Sequence, residues 1–391
     1  MLKGQRITVL GGGIGGFAAA TALARRGAEV IVLEQAPRVS EVGAGIQISS
    51  NGVAVLEGLG LGDAAQAASV RNGAIRLVDG ITGRDVIRMD LARLRPAQSF
   101  LLFHRADLLD LLHKAALAAG VTVETGARVT RVDIGQSSAF VDVEGQGLRE
   151  AAFLVGADGL RSQVRAALDT PRDPFFTGMV AWRALVPGDG DMAPEAVVRM
   201  APGRHMVSYP LRGGSLINLV AVEERTEWAE ESWFNRDDPD NLRRAFAKFA
   251  PEARALLAKV EDVHVWGLFR HPVATTWHKG PAVILGDAAH PTLPFLAQGA
   301  VMALEDAWVL AESLATQDSP EAAFAAYHAA RAPRCAAIVE AANRNARLYH
   351  LSGPARGIAH LGLRGISAVA PGRLLDRFDW IYGHDVTSGA G

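Results

Sequence analysis

Between two apolar runs, the segment ITVLGGGIGGFAAATALARRGAEVIVLEQ, residues 7–35, spaces its glycines as Gly11-x-Gly13-x-x-Gly16. The first glycine permits a tight turn, the second lets backbone approach a pyrophosphate, and the third lets helix and strand pack closely. The N–H groups and positive dipole end of the helix that follows favour an anion. Glu34, about 20 residues on, brings a carboxylate to ribose hydroxyls and would repel a 2′-phosphate. This motif describes a dinucleotide site without separating NAD from FAD. In VILGDAAHPTLPFLAQGAVMALEDA, residues 283–307, Asp287 ends an apolar run as a hydrogen-bond acceptor, and a helix starting near Gln298 turns its positive end toward the intervening loop. In GRHMVSYPL, His205 and Tyr209 stand four apart and share one face of a strand.

The elements that must hold these residues follow from periodicity. Ile7–Leu10 and Glu29–Glu34 read as buried parallel strands around an alanine-rich helix, Gly15–Arg26, a βαβ unit. A helix over Arg105–Ala119 leads to a strand at Val121–Glu124. From Met179 to Val222 short alternating strands are separated by glycine-bearing turns, the texture of an antiparallel sheet. One helical piece spans Asp240–Lys259. PAVILGDAAH returns to the buried-strand style, AVMALEDAWVLAESLA is a periodic helix, and the alanine-rich remainder through Tyr349 is helical, before a tail punctuated by glycine and proline.

Composition removes several classes of function. The 391 residues, 49% of them hydrophobic, suffice for two domains. A formal net charge of −2 and scattered arginines give no drive toward nucleic acid or an anionic membrane. The one cysteine, Cys335, excludes an internal disulfide framework or thiolate metal cluster, so no metal is expected, and it fits a reducing, cytoplasmic setting. Neither a signal peptide nor a membrane span is evident.

At FLVGADGLRSQVR, residues 153–165, the chain resembles the Asp-Gly motif of the single-component FAD-dependent aromatic hydroxylases, with Asp158, Gly159, Arg161 and Ser162 in place, and residues 283–307 resemble their Gly-Asp motif. Three motifs in order cover nearly the whole chain to about residue 346. The resemblance implies an α/β fold: a Rossmann-like FAD-binding domain with an inserted antiparallel β-sheet substrate domain and a helical C-terminus. The corresponding boundaries are 1–70, 100–175 and 270–350 for FAD, 71–99 and 176–269 for substrate, and 351–391 for the C-terminal segment. It assigns to non-covalent FAD Gly11, Gly13, Ile14, Gly15, Gly16, Glu34, Gly45, Arg105, Asp158, Gly286, Asp287, Pro294, Gly299 and Ala300. Asp158 also reads as a cap for the helix near Ser162, and the segment EVGAGIQISSNG, with Gly43, Ala44 and Gly45, as a flexible cover for the flavin in which Gln47 is a candidate to line the pocket. No second G-x-G-x-x-G exists, so NADH or NADPH visits transiently, as the family implies.

The resemblance also implies NAD(P)H- and O2-dependent hydroxylation of a small carboxylated phenol or hydroxypyridine through a flavin C4a-hydroperoxide. His205, Tyr209 and Gln298 are the catalytic candidates, because a histidine that holds or removes the phenolic proton activates the ring. The pairing of His205 with Tyr209 resembles 3-hydroxybenzoate 6-hydroxylases and 6-hydroxynicotinate 3-monooxygenases more than salicylate hydroxylases. A flavin-dependent epoxidase or oxidase acting on a larger natural product is the alternative, sharing all three cofactor motifs. His290 is read as shaping its loop, Trp182 as core and His104 as structural. The family is often dimeric, which makes a homodimer the expected assembly.

Overall fold

The computed structural model describes residues 2–40, 44–169, 172–225, 227, 235–370 and 372–389. Gly43 lies outside them, so the flavin-covering segment is described only from Ala44 onward. Two sheets dominate. The first has the strand order His278–Lys279, Ala282–Ile284, Phe153–Gly156, Arg6–Leu10, Glu29–Glu34, Thr122–Thr125, with every pairing parallel except that of the His278–Lys279 edge. Its strands are covered on both faces, so Val9, Val32, Leu154 and Val283 are all buried, which is why they read as continuous apolar runs. Helix Ile14–Arg25 is buried nearly all round through Phe17, Ala18, Ala19, Ala20, Ala22 and Leu23. Its alanines let helix Gly299–Thr316 approach closely, and the long helix Pro320–Tyr349 lies against that second helix.

The second sheet has eight strands in the order Arg236–Asp237, Val263–Arg270, Phe175–Pro187, Leu216–Glu224, Arg204–Leu211, Glu195–Ala201, Ala74–Asp79, Asp85–Asp90. It is not wholly antiparallel: Glu195–Ala201 pairs in parallel with Ala74–Asp79. A parallel pair needs a long connection, and here it runs from residue 79 through two strands of the first sheet, Thr122–Thr125 and Phe153–Gly156, before returning at 195. The helical piece expected over Asp240–Lys259 is two helices, Pro239–Ala245 and Pro251–Ala258, because Pro251 has no amide hydrogen and starts a new helix as its first residue. These helices cover one face of the sheet, where Trp182, Met206, Leu219, Phe246 and Leu257 pack together. Trp182 is core as expected, and its Nε1 donates to Asp237 at 2.7 Å.

The opposite face turns toward the first sheet. Ala181, Val222, Trp266 and Leu268 meet Leu293 and Phe295 of the loop before helix Gly299–Thr316, and Tyr209 and Leu211 meet Leu102. Three strands over residues 129–151 form a separate meander. After Ser352 the chain forms helix Gly353–Val369 in spite of its glycines, with Pro354 in the first turn where its missing N–H costs nothing. That helix lies beside strand Asp85–Asp90, and Arg356 pairs with Asp79 at 2.7 Å.

A side chain at position 16 tests how tightly the first βαβ unit is wound. A Cβ on Gly16 would sit 1.9 Å from the carbonyl oxygen of Gly11. Gly16→Ala should therefore cost on the order of 1–3 kcal/mol, the usual range for overpacking, and lower the melting temperature of flavin-free protein as well as flavin-loaded protein.

Candidate active site

Four adjacent parallel strands end side by side: Ala282–Ile284, Phe153–Gly156, Arg6–Leu10 and Glu29–Glu34. Just beyond these ends stand Gly286 and Asp287, then Asp158, then Gly11–Gly16, with Glu34 as the last residue of its strand. Ligands of open α/β sheets bind outside the carboxyl ends of the strands. Motifs spread over nearly 300 residues of sequence thus share one edge.

The glycines divide by what surrounds them. Gly11 has φ of 99°, and a Cβ there would lie 2.4 Å from the carbonyl oxygen of Ala157. A Cβ on Gly15 would meet Leu285 at 2.9 Å and Ala303 at 3.1 Å. These two, like Gly16, are glycines because the protein's own backbone and helices crowd them. Gly13 is different, since a Cβ there meets nothing within 4 Å. Helix Ile14–Arg25 begins beside that space with neither a side-chain cap nor an acid in its first turn, so its leading amides are suited to a pyrophosphate. Helix Gly299–Thr316, starting with Gly299 and Ala300, likewise lacks a side-chain cap and an early acid. Open space, two such helix starts and the Glu34 and Asp287 carboxylates fit FAD.

Glu34 is partly engaged by the protein. Its Oε2 accepts from the Gly12 amide at 2.6 Å and its Oε1 from the Ala36 amide at 2.7 Å, leaving acceptor capacity for a ribose. Asp287 is exposed at the edge, and Pro294 is exposed in the following loop. Asp158 is spent on capping: its carboxylate accepts from Ser162 Oγ at 2.5 Å and from the Gln163 amide at 2.7 Å. Burial pushes its carboxyl above the ordinary value, against the pull of these bonds. Arg105 opens helix Arg105–Ala118, its amide donating to the Ala44 carbonyl at 2.8 Å.

Beneath the Gly286 turn, where φ is 61°, lies a buried charge cluster that residue spacing did not reveal. Asp306 accepts from the Gly286 amide at 3.0 Å, lies 2.5 Å from His290 Nε2, and accepts from Arg331 Nε at 2.7 Å. Its neighbour Glu305 pairs with Arg331 at 2.6 Å and Arg334 at 2.9 Å, and accepts from Asn51 Nδ2 at 2.7 Å. His290 thus shapes the loop. His290 and Arg331 outweigh burial and hold the Asp306 carboxyl down to about 2. Ligand-type atoms of His290, Asp306 and Cys335 lie within 4.8 Å of one another, but the cation beside Asp306 is the Arg331 guanidinium. Gln298 belongs to the same bracing: Nε2 donates to Ser49 Oγ at 2.9 Å and Oε1 accepts from Asn51 Nδ2 at 3.1 Å. Both ends of its amide are engaged, so its contribution is to hold the loop.

The face of the second sheet turned toward the first carries the remaining candidates. His205 and Tyr209 occupy one face of strand Arg204–Leu211, about 13 Å apart at 3.3 Å per residue. His205 is buried against Phe295 and Tyr349. Tyr209 is buried, which raises its phenol well above the ordinary value, while Arg183 and a hydrogen bond with Gln47 oppose that rise. The guanidinium of Arg183 lies 4.4 Å over the Trp266 ring. Asn218 Oδ1 accepts from the Gly45 amide at 2.6 Å, whereas its Nδ2 is buried without a hydrogen-bond partner. Gly45 has a reason other than freedom to approach a flavin: a Cβ there would fall 2.6 Å from both Asn218 and Tyr209. Sequence reasoning missed Asn218 and Arg331, which lie outside every motif, and passed over Asp306, which stands inside the 283–307 stretch where periodicity marks only a helix.

Such a site, an FAD-type edge roofed by a sheet that concentrates polar groups on an apolar face, fits a flavin-dependent enzyme. Comparison with known proteins agrees. Residues 5–342 match the family model described as an FAD binding domain. The 3-hydroxybenzoate 6-hydroxylase of Klebsiella oxytoca is 35% identical, with 98% of each chain covered. The 6-hydroxynicotinate 3-monooxygenase of Bordetella bronchiseptica is 31% identical, with 97% of this chain and 95% of that one covered. A crystal structure of Klebsiella pneumoniae HpxO complexed with FAD and uric acid has the same fold, with a TM-score of 0.84 at 24% identity over 99% of this chain and 97% of that one. The chain belongs to this family, the FAD-dependent aromatic monooxygenases.

The buried cluster makes a test of the Gly286 turn. Asp306→Asn leaves the buried His290 without its carboxylate and Arg331 with Glu305 alone, and should cost about 3–5 kcal/mol, seen as a lower melting temperature together with weaker retention of FAD. In the unaltered protein Asp306 has a folded pKa of about 2, below its unfolded value. Its stabilising contribution is therefore present above the unfolded value of about 4 and is lost as pH falls toward 2. Acid titration of the Asp306→Asn protein should lack that component.

Proposed function

We propose that this protein uses NAD(P)H and O2 to hydroxylate a small phenol or hydroxypyridine that carries a carboxylate. The observation that carries the reading is the polar set of Tyr209, Asn218 and Arg183 on an otherwise apolar sheet face, with the Asn218 amide donor buried and unpartnered. A buried donor left without a partner costs about 1–3 kcal/mol, which a carboxylate oxygen would relieve. The names of the two curated relatives point to ring acids of this kind. When bound, FAD supplies electron transfer from NAD(P)H and activation of oxygen.

The chain's own residues do the rest. Arg183, Asn218 and Tyr209 orient the ring by its carboxylate, and His205, farther along the same strand, faces the ring hydroxyl as the group that takes its proton. Leu293, Phe295, Trp266 and Val222 keep water out. Gly13, Glu34, Arg105, Asp287, Gly299 and Ala300 would hold the cofactor, with Asp158 and Gln298 fixing the backbone around it. The same reading puts the enzyme in the cytoplasm as a homodimer. Among the described residues no helix is long and apolar enough to cross a membrane.

The test is NAD(P)H oxidation and oxygen uptake by the yellow protein with a panel of hydroxybenzoates and hydroxynicotinates, with products weighed by mass spectrometry. One or more of these acids should accelerate NAD(P)H oxidation and gain one oxygen atom. Arg183→Gln should raise KM for that acid by about 10- to 100-fold, the worth of a hydrogen bond to a charged group, and leave KM for the matching phenol without a carboxylate nearly unchanged. Equal effects on both ligands would remove Arg183 from the anion site. Response only to bulky uncharged ligands would move the enzyme to natural-product oxidation.

A further inference from the structure

A chain of hydrogen bonds runs from the substrate face of the sheet to solvent. His205 is 2% exposed, and its Nδ1 lies 2.7 Å from His350 Nε2. His350 Nδ1 in turn lies 2.9 Å from Glu224 Oε1. The His350 side chain is 3% exposed and that of Glu224 is 57% exposed, so three side chains bridge the interior and bulk water. They come from three elements: strand Arg204–Leu211, the residue that ends helix Pro320–Tyr349, and the last residue of strand Leu216–Glu224. The His350 carbonyl also accepts from the Gly203 amide at 3.2 Å, which fixes the ring's approach to the sheet.

Besides burial, Arg204 acts on His350 as a cation close enough to press its ring toward the neutral form. Arg204 and Arg225 both pair with Glu223, at 3.0 and 3.3 Å, so the adjacent Glu224 is the carboxylate that meets His350. The other titratable group against His205 is Tyr349, whose hydroxyl accepts from Asn345 Nδ2 at 3.0 Å. Burial pushes both imidazoles below their ordinary value, most of all His205. Two neutral rings satisfy the distances in one arrangement ending on an ionised Glu224: His205 Nδ1–H donates to His350 Nε2, and His350 Nδ1–H donates to Glu224. That arrangement leaves His205 Nε2 as a lone-pair acceptor on the other side of its ring.

We propose that His205, His350 and Glu224 form a proton relay between the substrate hydroxyl and solvent. The proposal rests on the ring-hydroxylation reading above. As the substrate's O–H bond breaks, its proton goes to His205 Nε2, the Nδ1 proton of His205 passes to His350 Nε2, and the Nδ1 proton of His350 passes to Glu224, which releases it to water. The ring keeps the electron pair as a phenolate and is thereby activated toward an electrophilic oxygen. Each histidine ends with its proton on Nε2. When the hydroxylated product takes a proton back, the same path runs in reverse and restores the starting tautomers. His350 and Glu224 touch neither ring nor cofactor; they are positioning and conducting groups that act through His205.

The experiment is rapid mixing of oxidised, FAD-loaded protein with 3-hydroxybenzoate or 6-hydroxynicotinate in weakly buffered solution near pH 7, with a pH indicator reporting protons released. The unaltered protein should release a proton promptly on binding. Glu224→Gln keeps the shape but cannot accept a proton, and His350→Gln cuts the middle of the path. Each should slow release at least 10-fold while the Kd of the acid and the FAD content change little, and Glu224→Asp should recover much of the rate. Release by the Glu224→Gln protein as fast as by the unaltered one would overturn the relay, and this surface change decides the matter even if His350→Gln fails to fold. No proton release from the unaltered protein with either acid would instead overturn the substrate reading, and the relay with it.

Discussion

Asp306 is the carboxylate on which the cofactor edge depends. Burying such a group costs several kcal/mol unless it is fully compensated, and here compensation comes from three directions: the Gly286 amide, His290 and Arg331. Each partner belongs to a different stretch of chain, so satisfying one charge fixes the Gly-Asp turn, the loop after it and the long helix relative to one another. Glu305 extends the arrangement outward. Through Asn51 it reaches the helix Ser50–Gly58, and through Asn51 and Ser49 it reaches Gln298, the residue that starts the helix pointing at the flavin loop. A rigid base of this kind lets a helix dipole be aimed without further reorganisation when the cofactor binds.

The roof is attached to that base by few but specific contacts. The Gly45 amide donates to Asn218, and Arg212 makes a two-pronged pair with Asp107 at 2.9 and 2.6 Å, joining the turn after strand Arg204–Leu211 to the start of helix Arg105–Ala118. Arg212 adopts φ of 48°, a conformation costly for a residue with a Cβ, and the pair with Asp107 compensates for it. Phe295 and Leu293 close the same gap from the loop side. A small aromatic ring entering there would be held between a polar patch and a histidine, with apolar walls on the remaining sides.

Local chemistry was legible in the sequence, and long-range partnership was not. The Gly11–Gly16 cluster could be read because backbone crowding and helix placement are set within about 30 residues, a βαβ unit's length. The strands and helices around it were likewise legible, since their burial on both faces leaves unbroken apolar runs. By contrast, the parallel pairing of Ala74–Asp79 with Glu195–Ala201 joins segments more than a hundred residues apart, and alternation within each strand is the same for either direction. Gln298 shows the limit at a single residue: a polar side chain beside a flavin motif suits a ligand or a brace equally well, and only the positions of Ser49 and Asn51 separate the two. His350 carried no sequence signal at all, because it meets His205 only after the long helix has folded back across the sheet.

That one parallel pairing also sets an order of events during synthesis. The hairpin of Ala74–Asp79 and Asp85–Asp90 leaves the ribosome with one edge unpaired, and the strand that covers it begins only at Glu195. At 5–20 residues per second the wait is roughly 5 to 20 s, long compared with hairpin formation in microseconds. Throughout that time the nascent chain presents the open edge of strand Ala74–Asp79, with Ile75, Leu77 and Val78 along it, a template for pairing with a neighbouring chain. Arg76, Arg84 and Arg88 are matched in the same hairpin by Asp79, Asp85 and Asp90, with Arg76 pairing to Asp85 at 2.7 Å and Arg88 to Asp90 at 2.9 Å, so charges interrupt the apolar run without giving the hairpin a net charge that would keep nascent chains apart. The roof of the active site is thus the part of the molecule most dependent on keeping apart from its copies until translation has caught up.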